Sequence, residues 1–323
     1  MAKSDPSIPP ALHPKPGDYQ FDLDNALRAI VSLRATVPED AFTAGTLGTE
    51  RAGSAVHIRP GMFLTIGYLV TEADTVWLSS SDGQTVAGHV MAYDQETGFG
   101  LVQALGRIVL PTLELGDSAA ARVGEHVVFA AAGGRRHAVA AKVAGRQEFA
   151  GYWEYLLDDA IFTAPAHPFW GGAGLIGPDG TLIGIGSLVL QQGGEGGRKQ
   201  DMNMVVPVDL LKPILDDLLA LGRTSRPPRP WLGLYAMEDD EALVVGGLAD
   251  NGPAQKAGVR TGDRILAING HEVPDLAGLW RAVWAAGPAG ASINLSLGRG
   301  NRAASVTIAS TDRARILKAP SLH

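Results

Sequence analysis

The sequence predicts a mostly β protein, an all-β sandwich or barrel region followed by a small α+β unit. Three observations predict it. From Gly53 to about Val206, short apolar or alternating runs follow one another with turn signals between them, the pattern of a sandwich or barrel. A proline-rich stretch, RTSRPPRP at 223–230, closes that region and favours an extended, semi-stiff linker. From 231 to about 311, short strands mix with two helical signals, as in a compact α+β unit. A length of 323 residues agrees with about two domains at ~150 residues each.

Each element follows from its residues. Residues 1–20, polar and rich in proline, read as a flexible or extended N-terminal arm. Phe21, Leu23, Ala26, Leu27, Ile30, Val31 and Leu33 recur at helical spacing and predict a short amphipathic helix over 21–33. The strand runs are AVHI, MFLTIGYLV, TVWLSS, HVMAY, GLVQAL, HVVFAAA, AVAAKVAG, TLIGIGSLVL and MNMVVP, separated by PG, SDG, GG, GPDG and QQGGEGGRKQ. Over 208–222, Leu210, Leu211, Ile214, Leu215, Leu218, Leu219 and Leu221 form an apolar stripe, with Asp209 to cap its start and Gly222 to end it. The last unit, 231–311, has helical signals at 253–258 and 275–286, and 312–323 is a C-terminal tail.

Composition excludes several function classes. Apolar residues at 46% and charged residues at 19% exclude a largely disordered chain. A net charge of 27 minus 34, or −7, without a basic stripe excludes a phosphate-tracking nucleic-acid binder. With 0 cysteines, thiol nucleophiles, thiolate metal sites and disulfides are excluded. The sequence holds no uninterrupted apolar run of 18 residues, so no membrane-spanning helix is expected. The N-terminus lacks a basic-then-apolar leader. The expected location is therefore cytoplasmic, with a periplasmic alternative should the true start lie elsewhere.

Four stretches then show a resemblance. LTIGYLVTEADTVWLSSSDG (64–83) and DQETGFGLV (94–102) resemble the surroundings of a catalytic His and Asp. LGDSAAARVGEHVVFAAAGG (115–134) follows, and HPFWGGAGLIGPDGTLIGIG (167–186) resembles the surroundings of a nucleophilic Ser. Together they resemble the protease domain of the HtrA/Deg family, trypsin-like serine proteases with a double β-barrel. NGPAQKAGVRTGDRILAINGHEV (251–273) resembles that family's PDZ domain. The two resemblances cover about three-quarters of the chain. They imply a protease-fold domain over 21–207, a linker helix and proline-rich linker over 208–230, and a PDZ domain over 231–311.

The resemblance also assigns positions. Tyr68 stands where the family has its His, Gly98 where it has its Asp, and Gly171 where it has its Ser. A serine triad needs a hydroxyl to attack, an imidazole to shuttle its proton and a carboxylate to orient the imidazole. Gly171 supplies no nucleophile, Gly98 orients nothing, and a phenol with an ordinary pKa near ~10 is a poor base at neutral pH. Losing a whole triad lowers turnover on the order of 10⁶-fold. Phe169-Trp170-Gly171 replaces the family's Gly-Asn-Ser turn. A bulky residue at its first position is expected to be strained.

The PDZ part is intact by resemblance. Trp231-Leu232-Gly233-Leu234 matches the loop whose N–H groups hold a peptide carboxylate. Leu232 and Leu234 would line the pocket for the last side chain, with Leu279, Ala282 and Val283 on the opposite helix. The expectation is a pseudoprotease that binds peptides or protein C-termini in a chaperone-like or regulatory role. It would assemble as a homotrimer or join an active relative in a mixed oligomer. Two alternatives stand beside it: an active serine endopeptidase of protein quality control, and a ligand- or metal-binding protein that uses the degenerate cleft. No cofactor and no metal are expected.

Several sharper readings have bland counterparts. Ser54 and Ser187 are substitute nucleophiles or ordinary strand serines. His57 and His167 approach the cleft or are simply hydrogen-bonded. His89, His126 and His137 are scattered, with no HExxH. Tyr68, Phe169 and Trp170 line an aromatic pocket or plug it, with His167 close by in sequence. Tyr152, Trp153 and Tyr155 in GYWEYLLDD belong to a hairpin on the second barrel or to an exposed contact patch. The Asp158-Asp159, Asp216-Asp217 and Asp239-Asp240 pairs are solvated charge, and QQGGEGGRKQ lacks the GKS or GKT of a phosphate loop.

Overall fold

The computed structural model describes residues 7–193, 199–239, 242–300 and 302–319. They divide into two compact units. The first holds residues up to Gln147 together with Asp159–Thr224 and, at the far end, Lys318; the second holds Glu148–Asp158 and Ser225–Leu317.

The first unit carries two closed six-stranded barrels, so neither exposes a free sheet edge. β1 (Ile30–Thr36), β2 (Glu50–Arg59), β3 (Met62–Ile66), β4 (Thr75–Ser79), β5 (Thr85–Tyr93) and β6 (Phe99–Ala104) close in the order β1-β2-β3-β6-β5-β4. Leu33 on β1 pairs with Gly53 on one side and Leu78 on the other, which shuts the ring. Leu33, Val56, Phe63, Leu64, Leu78, Phe99 and Leu101 on these strands are all fully buried. β7 (His126–Ala130), β8 (Ala138–Gly151), β9 (Tyr155–Ala164), β10 (Gly174–Ile176), β11 (Leu182–Gly193) and β12 (Lys199–Pro207) close as β10-β11-β12-β9-β8-β7. Their core gathers Val127, Phe129, Val139, Ile161, Leu175 and Val205.

Three expectations need correction. The helix expected over 21–33 is α1 (Leu23–Arg28) alone, capped by Asp22 through Asn25 N at 3.0 Å. Ile30–Thr36 is the first barrel strand, with Leu33 and Ala35 buried and Arg34 and Thr36 exposed. Leu27, Ile30 and Val31 fit helical spacing by coincidence, and the alternation after them is the truer signal. The N-terminal arm is not free along its length: two 3₁₀ turns, Pro10–Leu12 and Pro16–Asp18, follow Ile8. Ile8 is buried in the second barrel's core cluster, with Leu12 packed against it. After α2 (Ala44–Leu47), the helix expected over 208–222 is α3 (Leu215–Leu221), preceded by a 3₁₀ turn at Val208–Leu210. Pro213 lacks the N–H that a continuous helix needs there. Asp209 does not cap the helix. It accepts from Ala119 N at 2.9 Å and pairs with Lys212. Gly222 ends α3 in left-handed backbone, φ 70°.

The second unit is one sheet and a helix. β13 (Leu234–Asp239), β14 (Ala242–Leu248), β15 (Arg264–Ile268), β16 (His271–Glu272), β17 (Ser292–Arg299) and β18 (Arg302–Ala309) run in the order β13-β14-β15-β17-β18, with β16 beside β15. The short α4 (Pro253–Lys256) and the longer α5 (Leu276–Ala285) complete it. Asp275 caps α5 by accepting from Gly278 N at 2.6 Å. Leu276, Leu279, Trp280 and Val283, at i, i+3, i+4 and i+7, face the core. Each such side chain contributes about 1.5–3 kcal/mol on burial. Glu148–Asp158, the tip of the β8–β9 hairpin, belongs to this unit. Ala150 packs on its core and Trp280 Nε1 donates to Gly151 O at 2.8 Å.

Candidate functional site

The first candidate site is where the cleft residues of the first unit meet. β3 ends in a 3₁₀ turn, Gly67–Leu69, that presents Tyr68. Gly67 N donates to Gly98 O at 2.7 Å. The buried Arg51 guanidinium donates to Tyr68 O and Thr71 O, both at 2.8 Å, and to Thr43 Oγ1. Glu72 in turn accepts from Phe42 N, Thr43 N and Lys318 N. A buried guanidinium that lost these acceptors would leave an uncompensated charge worth about 3–5 kcal/mol, so the turn is firmly held.

Tyr68 Oη donates to Ser187 O at 2.8 Å. Burial raises its phenol above the usual range, opposed in part by a contact with Trp170. A neutral phenol that already donates its proton to a carbonyl has no base function left. Gly171 lies directly beside it: a Cβ built there would sit 3.0 Å from Tyr68 Oη. The Gly171 carbonyl accepts from Ser54 N at 2.8 Å. Gly98 has φ 82°, and its N–H donates to Asp94 O at 2.8 Å. Left-handed backbone of that kind suits glycine and costs a side-chain-bearing residue about 1–2 kcal/mol. Tyr68 and Gly171 are therefore neighbours, and Gly98 adjoins the turn that carries Tyr68.

The loop before Gly171 is held by His167, which is fully buried. Asn203 clamps its backbone, accepting from His167 N at 2.7 Å and donating to His167 O at 3.1 Å. Its Nδ1 accepts from Phe169 N at 2.9 Å, which fixes the proton on Nε2, 3.0 Å from His137 O. Burial pushes the imidazole down to about 4, so it is neutral at pH 7. In trypsin-like sites the oxyanion is held by the N–H of the nucleophile and that of the residue two before it. With Gly171 at the nucleophile position, as the sequence resemblance implies, the second of these would be Phe169 N–H, and that N–H is spent on His167. The strain expected at Phe169-Trp170 is not present: neither residue has positive φ. Both are half-buried against the second barrel's core.

The second candidate site, in the second unit, lies on the loop before β13. Leu232 N, Gly233 N and Leu234 N converge on Glu154 Oε1 at 3.1, 2.7 and 3.0 Å, and Leu232 N also lies 3.1 Å from Oε2. Gly233 has φ 71°, and a Cβ there would meet the Trp231 ring at 2.9 Å. Trp231 is buried beside the loop. Leu232, Leu234, Leu279 and Val283 are all at 0% exposure, and Ala282 packs half-buried beside them. Three N–H groups aimed at one point form an anion site, and a carboxylate is in it. Sequence reasoning missed Glu154. Its only signal was its place among Tyr152, Trp153 and Tyr155, the aromatic cluster that this tip carries.

The other candidates are dispersed. His57 stacks on Phe63, its Nδ1 2.8 Å from Pro111 O, and accepts from Gly61 N. Ser54 Oγ accepts from Ala132 N at 3.1 Å. Asp159 pairs with Arg146 and Asp158 with Arg281, so those adjacent carboxylates do not act together. Among the described residues no group of three or more His, Cys, Asp or Glu is placed to hold a metal ion. The centre of QQGGEGGRKQ lies outside the described residues.

Comparisons with known proteins bear on both sites. The trypsin-like peptidase domain family matches residues 53–185, and the PDZ domain family matches 230–309. A probable periplasmic serine endoprotease DegP-like of Pseudomonas fulva (strain 12-X) is 26% identical over 286 residues, 82% of this chain and 57% of that protein. The similarly named protein of Halomonas elongata is 26% identical over 77% of this chain and 53% of its own length. A serine protease Do-like HtrA of Lactobacillus helveticus is 22% identical over 80% of this chain and 68% of its own. The chain thus spans about half the length of the first two. Among solved structures, HtrA-type protease AlgW with tripeptide matches at TM-score 0.53 and 22% identity, covering 93% of this chain and 97% of that one. The same protease with decapeptide matches at TM-score 0.53 and 22% identity, over 93% and 98%. These likenesses extend to the fold of both units.

Proposed function

The chain belongs to the HtrA/Deg family of trypsin-like peptidase and PDZ proteins, and we propose that it is a pseudoprotease whose work is to bind peptides. The observation that carries this reading is the pair Tyr68 and Gly171: a hydrogen-bonded neutral phenol beside a residue with no side chain. Attack on a carbonyl needs a nucleophile and a base in contact, and neither is offered there. The spent N–H of Phe169 removes oxyanion stabilisation as well, a term worth about 10²–10³ in rate for one donor.

Binding needs only backbone geometry, and that is retained. The Leu232-Gly233-Leu234 amides hold a carboxylate, and Leu279 and Val283 supply apolar lining. The solved relatives are described with a tripeptide and a decapeptide, which supports a peptide as ligand class here. A peptide terminus would add its backbone to the sheet and place its carboxylate on the loop. The names of the DegP-like relatives specify the periplasm, which supports the periplasmic alternative over the cytoplasmic expectation. The homotrimer or mixed oligomer is part of the same proposal, and sedimentation of the purified chain separates it from a monomer.

The test uses a fluorescein-labelled octapeptide with an apolar last residue, in free-acid and C-terminally amidated forms. The full chain is expected to bind the free acid, to bind the amide at least about tenfold more weakly, and to leave both uncleaved by mass spectrometry. Equal affinity for the two forms, or a cleaved product, contradicts the reading.

A further inference from the structure

Resting on the peptide-binding reading, we infer that the second unit carries its own ligand: the hairpin tip Gly151–Tyr155 occupies the peptide site, with the Glu154 side-chain carboxylate standing where a peptide's terminal carboxylate would bind.

Four independent features of the second unit agree. All three loop amides are satisfied by Glu154, leaving none for an incoming carboxylate. The tip also supplies a strand-like backbone bond: Ala236 N on β13 donates to Tyr152 O at 3.0 Å. That is the bond an added peptide would make with the sheet edge. The pocket side chains are fully covered, Leu232, Leu234, Leu279 and Val283 all at 0% exposure, with Ala150 of the tip segment packed against their cluster. The far side of the tip is pinned to α5, where Trp280 Nε1 donates to Gly151 O and Arg281 pairs with Glu148 and Asp158.

The backbone at the tip fits a built ligand. Glu154 has φ 59°, in the left-handed region that a residue with a side chain adopts at a cost. That conformation turns its side chain back onto the loop, and the amides repay the strain. Phe149, Trp153 and Tyr155 pack against one another at the tip, Trp153 stacked on Tyr155 with ring centroids 5.7 Å apart. A hairpin that only packed on a barrel would not need an acid at its tip buried to 5% exposure. Burial raises this carboxyl to about 7, opposed by the loop amides and by Arg313.

A peptide must then displace the tip. Its apparent affinity falls by the fraction of molecules whose loop is open. The resident ligand sets a threshold: only a peptide that is abundant, or that binds tightly by its preceding residues, engages the site.

The experiment compares the full chain with its Glu154→Ala and Glu154→Gln variants by two readouts. Hydrogen exchange of the Leu232, Gly233 and Leu234 amides reports the tip directly. They are expected to be protected in the parent chain, less so in Glu154→Gln, and to lose protection in Glu154→Ala. Unchanged protection in the alanine variant overturns the inference whatever the peptide does. Affinity for the free-acid octapeptide is the second readout. Glu154→Ala is expected to bind roughly tenfold or more tightly than the parent chain, with Glu154→Gln between them. Equal affinities in all three overturn the inference. Amides that open in Glu154→Ala while no chain binds the peptide leave the resident ligand standing and refute the peptide-binding reading instead. Glu154→Gln preserves shape and one acceptor oxygen, so it supplies both readouts if the alanine variant does not fold.

Discussion

His167 makes the first unit sensitive to acid by a calculable amount. Its imidazole is buried and neutral, with Nδ1 accepting from Phe169 N and Nε2 facing His137 O. Burial lowers its pKa from 6.5 to about 4, and the neighbouring His137 adds to the lowering. Between those two values the unfolded chain binds the proton and the folded chain does not. Stability therefore rises with pH across that window, and it is lost as pH falls from 6.5 through 4. At 1.36 kcal/mol for each pH unit of the gap, the loss reaches about 3 kcal/mol near pH 4. The perturbation is His167→Gln, which keeps one donor and one acceptor but cannot take up a proton. Urea unfolding followed by tryptophan fluorescence, at steps from pH 7 to pH 4.5, measures both chains. Carboxylates shared by the two cancel in the difference. The parent chain is expected to lose about 2–3 kcal/mol more than the variant across that range. Parallel pH profiles would refute the reasoning, because they would mean that the imidazole titrates alike in both states.

Other predictions follow from the same contacts. Restoring an acid by Gly98→Asp is expected to cost about 1–2 kcal/mol from left-handed backbone alone, read as a lower urea midpoint; an unchanged midpoint would mean the loop relaxes freely. Glu154 works in the opposite sense to His167. Its pKa is raised from 4.5 to about 7, so the folded state holds the proton more tightly. The contribution of Glu154 to the stability of the second unit is thus greatest below pH 4.5 and is lost as pH rises through about 7, with Arg313 and Tyr235 as the charged and titratable neighbours. Exchange rates of β13 amides at pH 5 and pH 8 measure this, and greater protection at pH 8 would contradict it.

How much of this was legible in the sequence depends on the range of the contacts involved. The strand runs are local alternation, and most of the barrel strands fall on them. β1 escaped because Leu27, Ile30 and Val31 imitate a helical face where α1 hands over to a strand. The Leu232-Gly233-Leu234 loop was legible because its geometry is carried by backbone, and Gly233 with φ 71° marks it. Glu154 was not legible, because its partners lie 78 to 80 residues away and nothing in GYWEYLLDD specifies which sheet the tip meets. The same holds at the cleft. Tyr68 and Gly171 could be aligned by their flanking motifs, yet the bond from Tyr68 to Ser187 spans 119 residues. The turning of Phe169 N–H onto His167 is a local rotation that no residue type announces. Composition tells which chemistry is missing, and only three-dimensional contact tells what has taken its place.

The central claim, that the cleft is chemically inert, is met most directly by labelling the purified chain with a serine-directed fluorophosphonate while following casein hydrolysis. Gly171→Ser serves as comparator. The account predicts no label and no hydrolysis from the parent chain, and none from the variant, since Tyr68 stays hydrogen-bonded to Ser187 O and offers the new hydroxyl no base. A parent chain that hydrolyses casein and carries the label on one mapped serine would contradict it.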